Sequence, residues 1–305
     1  MQHLAPIALF VYNRPEHTRR TLSFLQRNLL ADESKLFIFS DAPKNQADVD
    51  AVNSIRELIG TVDGFKSVKV FERVRHFGLS ASITDGVKQL VTEYGKVIVF
   101  EDDLLSSPHT LTYLNQGLAK YHHAEKVMQI GAYMFPLKNA DELPETFFFR
   151  TASSWGWATW KRAWDHFEPD IDVLYKQFDK RKALRFSMEG KMNYWKQLLA
   201  FKEGKNDSWA IRWYASIFLK DGLVLLPAKS LIDNIGNDGS GVHSIIEDTY
   251  QVSPSRKPVR FFPDKIEENK QAYQAILHFL KQRKGNLLMR GKKFLINKWH
   301  QFVKK

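Results

Sequence analysis

Short apolar runs alternate with amphipathic stretches of ten or more residues through the first hundred positions, which predicts an α/β chain with a doubly wound, largely parallel sheet. Two further observations agree. The run Val97–Phe100 is continuous rather than alternating, as strands buried on both faces are. Two of the runs stop at acid-bearing loops, Asp41 and Glu101-Asp102-Asp103, and one at Asn13-Arg14, as expected when one edge of an open sheet carries a ligand site.

The first strand, Ile7–Tyr12, is broken by Asn13-Arg14-Pro15, after which Thr18, Leu22, Leu25 and Leu29 give Glu16–Leu29 a helical period. Leu36–Ser40 is a second strand ending at Asp41-Ala42-Pro43, and Gln46–Ile59 a helix. Ser67–Phe71 is the third strand, Ser80–Glu93 the next helix and Val97–Phe100 the fourth strand. Pro108–Tyr121 reads as helix and Val127–Tyr133 as strand. Residues 147–165 are rich in aromatics, and Ser153, Ser154 and Gly156 suggest a loop entering a helix. Residues 173–201 read as helical, Leu223–Pro227 as a strand and Asp233–His243 as a Gly/Asn-rich loop. Pro254–Pro263 looks extended, and a helix over Lys265–Gln282 leads into a basic tail. No internal repeat is present.

At 305 residues the chain can bury a sizeable core. Its 13% aromatic content, with 8 Trp, suits sugar-stacking surfaces. With no Cys, disulfides, zinc–thiolate sites and thiol nucleophiles are excluded. The N-terminus shows no signal peptide, and no apolar run is long enough to span a bilayer, so a cytoplasmic location is expected. The net charge of +11 is concentrated at one end: residues 281–305 hold nine Lys/Arg and no acid, leaving 36 basic against 34 acidic residues elsewhere. That nearly neutral body argues against nucleic acid as a partner. In the tail, Leu288, Leu295, Trp299 and Phe302 fall on one side of a helix, so residues 285–305 are expected to bind an anionic membrane surface as a basic amphipathic helix.

The strongest chemical signal is Glu101-Asp102-Asp103 at the end of an apolar strand. Three adjacent carboxylates repel one another unless a cation joins them, and oxygen ligands select a hard ion such as Mg²⁺ or Mn²⁺. A second signal is Trp155, Trp157, Trp160 and Trp164 within ten residues. The Gly spacing of Gly236-Asn237-Asp238-Gly239-Ser240-Gly241 is not a phosphate-binding Walker loop, since no Gly-Lys-Ser/Thr follows.

Over roughly residues 5–245 these motifs, in this order, resemble the GT-A-fold glycosyltransferases. The nearest likeness is to the inverting N-acetylglucosaminyltransferases that act on N-glycan mannose and to bacterial polysaccharide sugar transferases. The resemblance implies a catalytic domain over 1–245, with a nucleotide-binding half (about 1–105) and an acceptor half (about 106–245), then an extension over 246–280 and the tail over 281–305. It implies that Arg14, Asp41, Glu101 and Asp102 hold a nucleotide sugar and that Asp103 contacts the metal, Mn²⁺ or Mg²⁺. The segment with His76 and Gly78 would lie along the nucleotide. Gly156 and Trp157 would line the sugar pocket, with Trp160 and Trp164 in the core, and His243 would touch the diphosphate or the metal. Asp207 would be the catalytic base, with Asp165, Glu168 and Asp170 next in line. The implied donor is UDP-linked, with GlcNAc one of several sugars open, and the acceptor a glycan or lipid-linked saccharide of surface polysaccharide synthesis. The residues alone also admit plainer readings: Asp41 as a turn former and Asp207 as a helix cap. A metal-dependent nucleotidyltransferase or phosphohydrolase, and a non-catalytic carbohydrate-binding protein, are the alternative functions.

Overall fold

A computed structural model describes residues 3–236 and 248–283. His243 and the tail expected over 285–305 lie outside the described residues. Strands β1 (Ile7–Val11), β2 (Lys35–Ser40), β3 (Ser67–Glu72) and β4 (Lys96–Glu101) alternate with helices α1 (Pro15–Gln26), α2 (Val49–Gly60) and α3 (Leu79–Tyr94). Then come β5 (Leu104–Ser106), α4 (Thr110–Lys120), β6 (Val127–Gly131), β7 (Thr146–Phe149) and β8 (Trp157–Trp160). Helices α5 (Lys161–Trp164), α6 (Ile171–Tyr175), α7 (Lys180–Phe186), α8 (Tyr194–Lys202) and α9 (Trp209–Leu219) precede β9 (Leu223–Pro227), β10 (Ile232–Asn234) and α10 (Lys270–Gln282).

One sheet runs β3-β2-β1-β4-β8-β6-β9-β7. Six of its eight strands point the same way; β8 and β7 run against them. The largely parallel sheet expected from sequence is therefore present, with one antiparallel strand inside it and one at its edge. Continuous apolar strands such as IALFV in β1 are buried along their whole length. Phe10, Phe39 and Phe71 stand opposite one another across β1, β2 and β3, and their rings stack at 5.0 and 4.9 Å. Helix α3 lies on this ladder through Gly86, where a Cβ would come within 2.8 Å of the Phe10 ring.

Three local expectations are corrected. Trp157–Trp160 forms the inserted strand β8 rather than a loop entering a helix: Val97–Val99 pair with Trp157–Thr159 in antiparallel register, and all four residues are buried. The helical stretch over 173–201 is three short helices. Asp170 and Asp179 each cap a new one with a side chain, and Met188, Glu189 and Gly190 all take left-handed φ, which no helix tolerates. The last helix begins at Lys270, capped by Asn269, not at Lys265.

The short helices α6–α9 form a separate apolar cluster around Phe186, Leu198 and Tyr214. Helix α9, WAIRWYASIFL, is apolar all round because it is buried on two sides. Trp209 and Trp213 meet Trp157 of the sheet, while Ile211, Tyr214 and Phe218 belong to the helical cluster.

Gly86→Ala tests the ladder contact. Helix propensity alone would make it stabilising by about 1 kcal/mol, whereas overlap with stacked, immobile rings costs roughly 1–3 kcal/mol. The expected result is a lower melting temperature, and a raised one would show that the rings yield freely.

Candidate active site

The carboxyl ends of β1, β2 and β4 bring the polar residues of three loops to one crevice. The Arg14 guanidinium, just before α1, donates from Nη1 to Asp103 Oδ2 at 3.0 Å and lies 4.0 Å from Asp102. The amide of Tyr12 approaches Asp102 Oδ2 at 3.4 Å, and the Thr21 hydroxyl donates to the Asp102 carbonyl at 2.8 Å. Asn234 of β10 reaches Asp103 Oδ1 from the other side at 3.3 Å, and the Ile235 amide donates to the Asp103 carbonyl at 2.9 Å. At Gly236 the backbone passes so close that a Cβ would overlap the Asp103 carboxylate. The antiparallel pairing of β10 with β5, Asn234 opposite Leu104, fixes this approach.

Electrostatically the cluster is short of positive charge. Burial first, then Asp103 and Asp102, push the Glu101 carboxyl well above the usual range, with Arg14 acting the other way. Asp102 is pushed up to about 7 by burial and by Asp103. Asp103 is raised by burial despite Arg14 and the field of His17 on α1. Among the described residues no three His, Cys, Asp or Glu side chains converge into a closed metal cage. Mg²⁺ and Mn²⁺ do not require one, being held through one or two carboxylates plus phosphate oxygens and water. Asp103, with Asp102 beside it, fits that mode.

Asp41, expected to contact a nucleotide, is engaged by the protein's own backbone. It is buried, and its carboxylate accepts from the amides of Ala42 (2.9 Å), Phe77 (2.8 Å) and Gly78 (2.8 Å), with His76 Nδ1 at 3.1 Å. Its lone pairs are occupied by the protein, so it acts on the crevice by clasping residues 76–78. Gly78 is needed in that clasp: φ 76°, ψ 161° is a conformation only glycine adopts readily, and it sits at the start of α3. His76 also meets the Ala42 carbonyl at 2.9 Å and tilts against the Tyr12 ring at 5.0 Å. The Tyr12 hydroxyl donates to Asp48 at 2.7 Å, and its pKa is pushed up to about 12 by burial and that bond. Tyr12 thus joins the β1 loop to the β2 loop.

Trp157, expected to line the sugar pocket, has its indole fully buried among Trp209, Trp164 and Trp213. Gly156, at φ +65°, lies directly against β10: a Cβ would come within 2.7 Å of Ile232. Trp160 and Trp164 are core, as expected.

Asp207 is not the cap of α9; Ser208 is, accepting from the Ile211 amide. The Asp207 side chain is 74% exposed, 3.6 Å from Arg212 Nη2, and the same Nη2 donates to Ser80 Oγ at 2.7 Å in the first turn of α3. An exposed carboxylate is thereby linked through Arg212 to Ser80. Asp165 pairs with Lys161, Glu168 accepts from the Asp170 amide and Asp170 caps α6, so all three acids have local structural tasks. Sequence reading missed Tyr12, Asn234, Ser80 and Arg212. His17 was detectable, lying one helical turn after Arg14. The others depend on contacts across tens of residues.

No protein-family model matches this sequence, and no curated protein matches it. Loose structural likenesses exist. A mannosyltransferase from Pyrobaculum calidifontis, solved with GDP-Man and Mn²⁺, is 12% identical, with 72% of this chain and 73% of that one covered at a TM-score of 0.39. Residues 1–349 of TarS from S. aureus are also 12% identical, covering 74% of this chain and 59% of that one at a TM-score of 0.41. Likenesses at such scores carry nothing over to this chain's chemistry.

Asp102→Asn isolates the charge stress. A carboxyl raised from 3.8 to about 7 favours the folded state below pH 4 and loses that contribution as pH rises towards 7. Without added cation, the variant should match the wild type near pH 4 and exceed its stability at pH 8, by on the order of 2 kcal/mol. Denaturant melts at the two pH values measure this, and equal differences at both would refute it.

Proposed function

We propose that this chain is a metal-dependent inverting glycosyltransferase that takes a sugar from a nucleoside diphosphate donor. The observation that carries this reading is the carboxylate cluster at the end of β4, raised by burial and mutual repulsion with Arg14 acting the other way. The donor is UDP-linked and GlcNAc is one candidate sugar, both on the resemblance stated above. The acceptor is a glycan or lipid-linked saccharide, and the basic residues of 285–305 would hold the enzyme at an anionic membrane surface.

In this mechanism the Asp207 carboxylate accepts the proton of the acceptor hydroxyl as that oxygen bonds to the anomeric carbon. The bond from that carbon to the diphosphate oxygen breaks, and its electron pair leaves with the nucleoside diphosphate. A bound divalent cation supplies charge to stabilise that leaving group. Asp103, with Asp102 beside it, would hold the cation; Arg14, permanently charged and forked, suits phosphate oxygens. Asp41 keeps residues 76–78 in place through their amides. Arg212, shared between Asp207 and Ser80, orients the base.

A nucleotidyltransferase would use the same acids. It would ordinarily cradle a triphosphate on a Gly-rich loop after β1, where this chain has Asn13-Arg14-Pro15.

Two variants test the proposal. Asp103→Ala should abolish Mn²⁺-dependent binding of UDP, measured by calorimetry, while the melting temperature holds; unchanged Mn²⁺-dependent binding would remove the metal assignment. Asp207→Asn should lower transfer roughly 10²–10⁴-fold with UDP affinity intact, and normal turnover would place the base elsewhere.

A further inference from the structure

A separate open cleft of about 1810 Å³ is walled on one side by α6–α9 and on the other by residues 133–135 and 151–155. Pockets for one small ligand measure roughly 300–1,000 Å³, so this one suits an extended molecule. Its aromatic surfaces come from both walls. Tyr175 and Trp195 stack nearly coplanar at 5.7 Å, and Tyr133 packs edge-on against Trp155 at 4.4 Å.

The charge of the lining is one-sided. Lys176, Lys180, Lys191 and Lys196 line the cleft, all four are exposed, and none forms an ion pair among the described residues. The one acidic residue of the lining, Asp179, is engaged in capping α7, accepting from the Lys182 amide at 2.7 Å. Arg283 adds a further positive charge, fixed by its bond to the Lys191 carbonyl. Four unpaired ammonium groups gathered on one cleft repel one another, and a polyanion relieves that repulsion.

Two stretches of the lining are chain neighbours of the proposed reaction centre. Ser208 lines the cleft, next to Asp207. Ser153–Trp155 line it too and run directly into Gly156, which abuts the strand carrying Asn234 to Asp103. Gln129, fully buried, holds this wall by donating to the Ser153 carbonyl at 2.8 Å while accepting from Trp213 Nε1 at 2.7 Å.

We infer that this cleft binds an anionic saccharide chain as the acceptor, its sugar faces on Tyr175, Trp195 and Trp155 and its negative groups on the four lysines. The inference rests on the transferase reading for the word acceptor, but binding itself does not.

The test is calorimetric titration of the full chain at low salt, without donor or metal, using three oligosaccharides of matched length: phosphodiester-linked, uronate-containing and neutral. At least one anionic oligomer should bind, and a preference between the two identifies the phosphate or the carboxylate as the group read. The variant Lys176→Gln/Lys180→Gln/Lys191→Gln/Lys196→Gln changes only exposed side chains and should lose at least roughly tenfold in that affinity. Trp195→Ala should weaken binding as well, by loss of stacking rather than charge. The inference is overturned if neither anionic oligomer binds, or if the neutral oligomer binds as tightly as the better of the two. It is equally overturned if the quadruple variant binds unchanged, or if single-stranded RNA of matched charge competes equally. Mn²⁺-dependent UDP binding, measured on the same proteins, separates the two ideas: its absence alongside saccharide binding removes the transferase reading and leaves the cleft assignment standing.

Discussion

Burial of the carboxylates at the end of β4 beside the Arg14 guanidinium is the constraint around which the site is arranged. Asp102 and Asp103 are held within reach of Arg14, and the chain spends Tyr12, Thr21, Asn234 and Ile235 on keeping them there. Such an arrangement costs stability in the absence of a further cation, because desolvated like charges repel. Stability given up at one place usually marks function, and here it falls where parallel strands end.

The rest of the molecule supplies the frame that holds that cluster. The stacked Phe10, Phe39 and Phe71 lock three strands in register, and the Trp157, Trp164, Trp209 and Trp213 group locks β8 to α9. Because α9 is buried on both sides, the position of Asp207 at its start is set by the sheet and by the helical cluster together. Arg212 then ties the same helix to α3. The exposed carboxylate and the clasped 76–78 segment are therefore parts of one rigid frame.

Much of this was legible in the sequence, where local pattern and tertiary structure agree. The first four strands and three helices follow from apolar period and from breakers such as Pro15 and Gly95, and the acids were evident as a charge cluster after an apolar strand. What was not legible depends on distant partners. Ser153-Ser154-Trp155-Gly156 reads as a loop, and its continuation became a central strand only because β4 and β6 leave a place between them. Trp157, attractive as a ring for a sugar, is consumed by three other Trp residues. Asp41 read as a nucleotide contact or a turn former, and neither reading could show that the amides it holds are 36 and 37 residues further along the chain.

The insertion of β8 between β4 and β6 also orders events during synthesis. When residue 101 has formed, the sheet has β3-β2-β1-β4, and β4 presents an open edge of apolar residues. Its partner, Trp157–Trp160, arrives more than fifty residues later, and only then does β6 gain its neighbour on that side. A nascent chain stalled in that interval carries an unpaired, flat, hydrophobic strand, the kind of edge that pairs with other chains. A chain cut near residue 105 would keep the β4 edge that β8 otherwise covers.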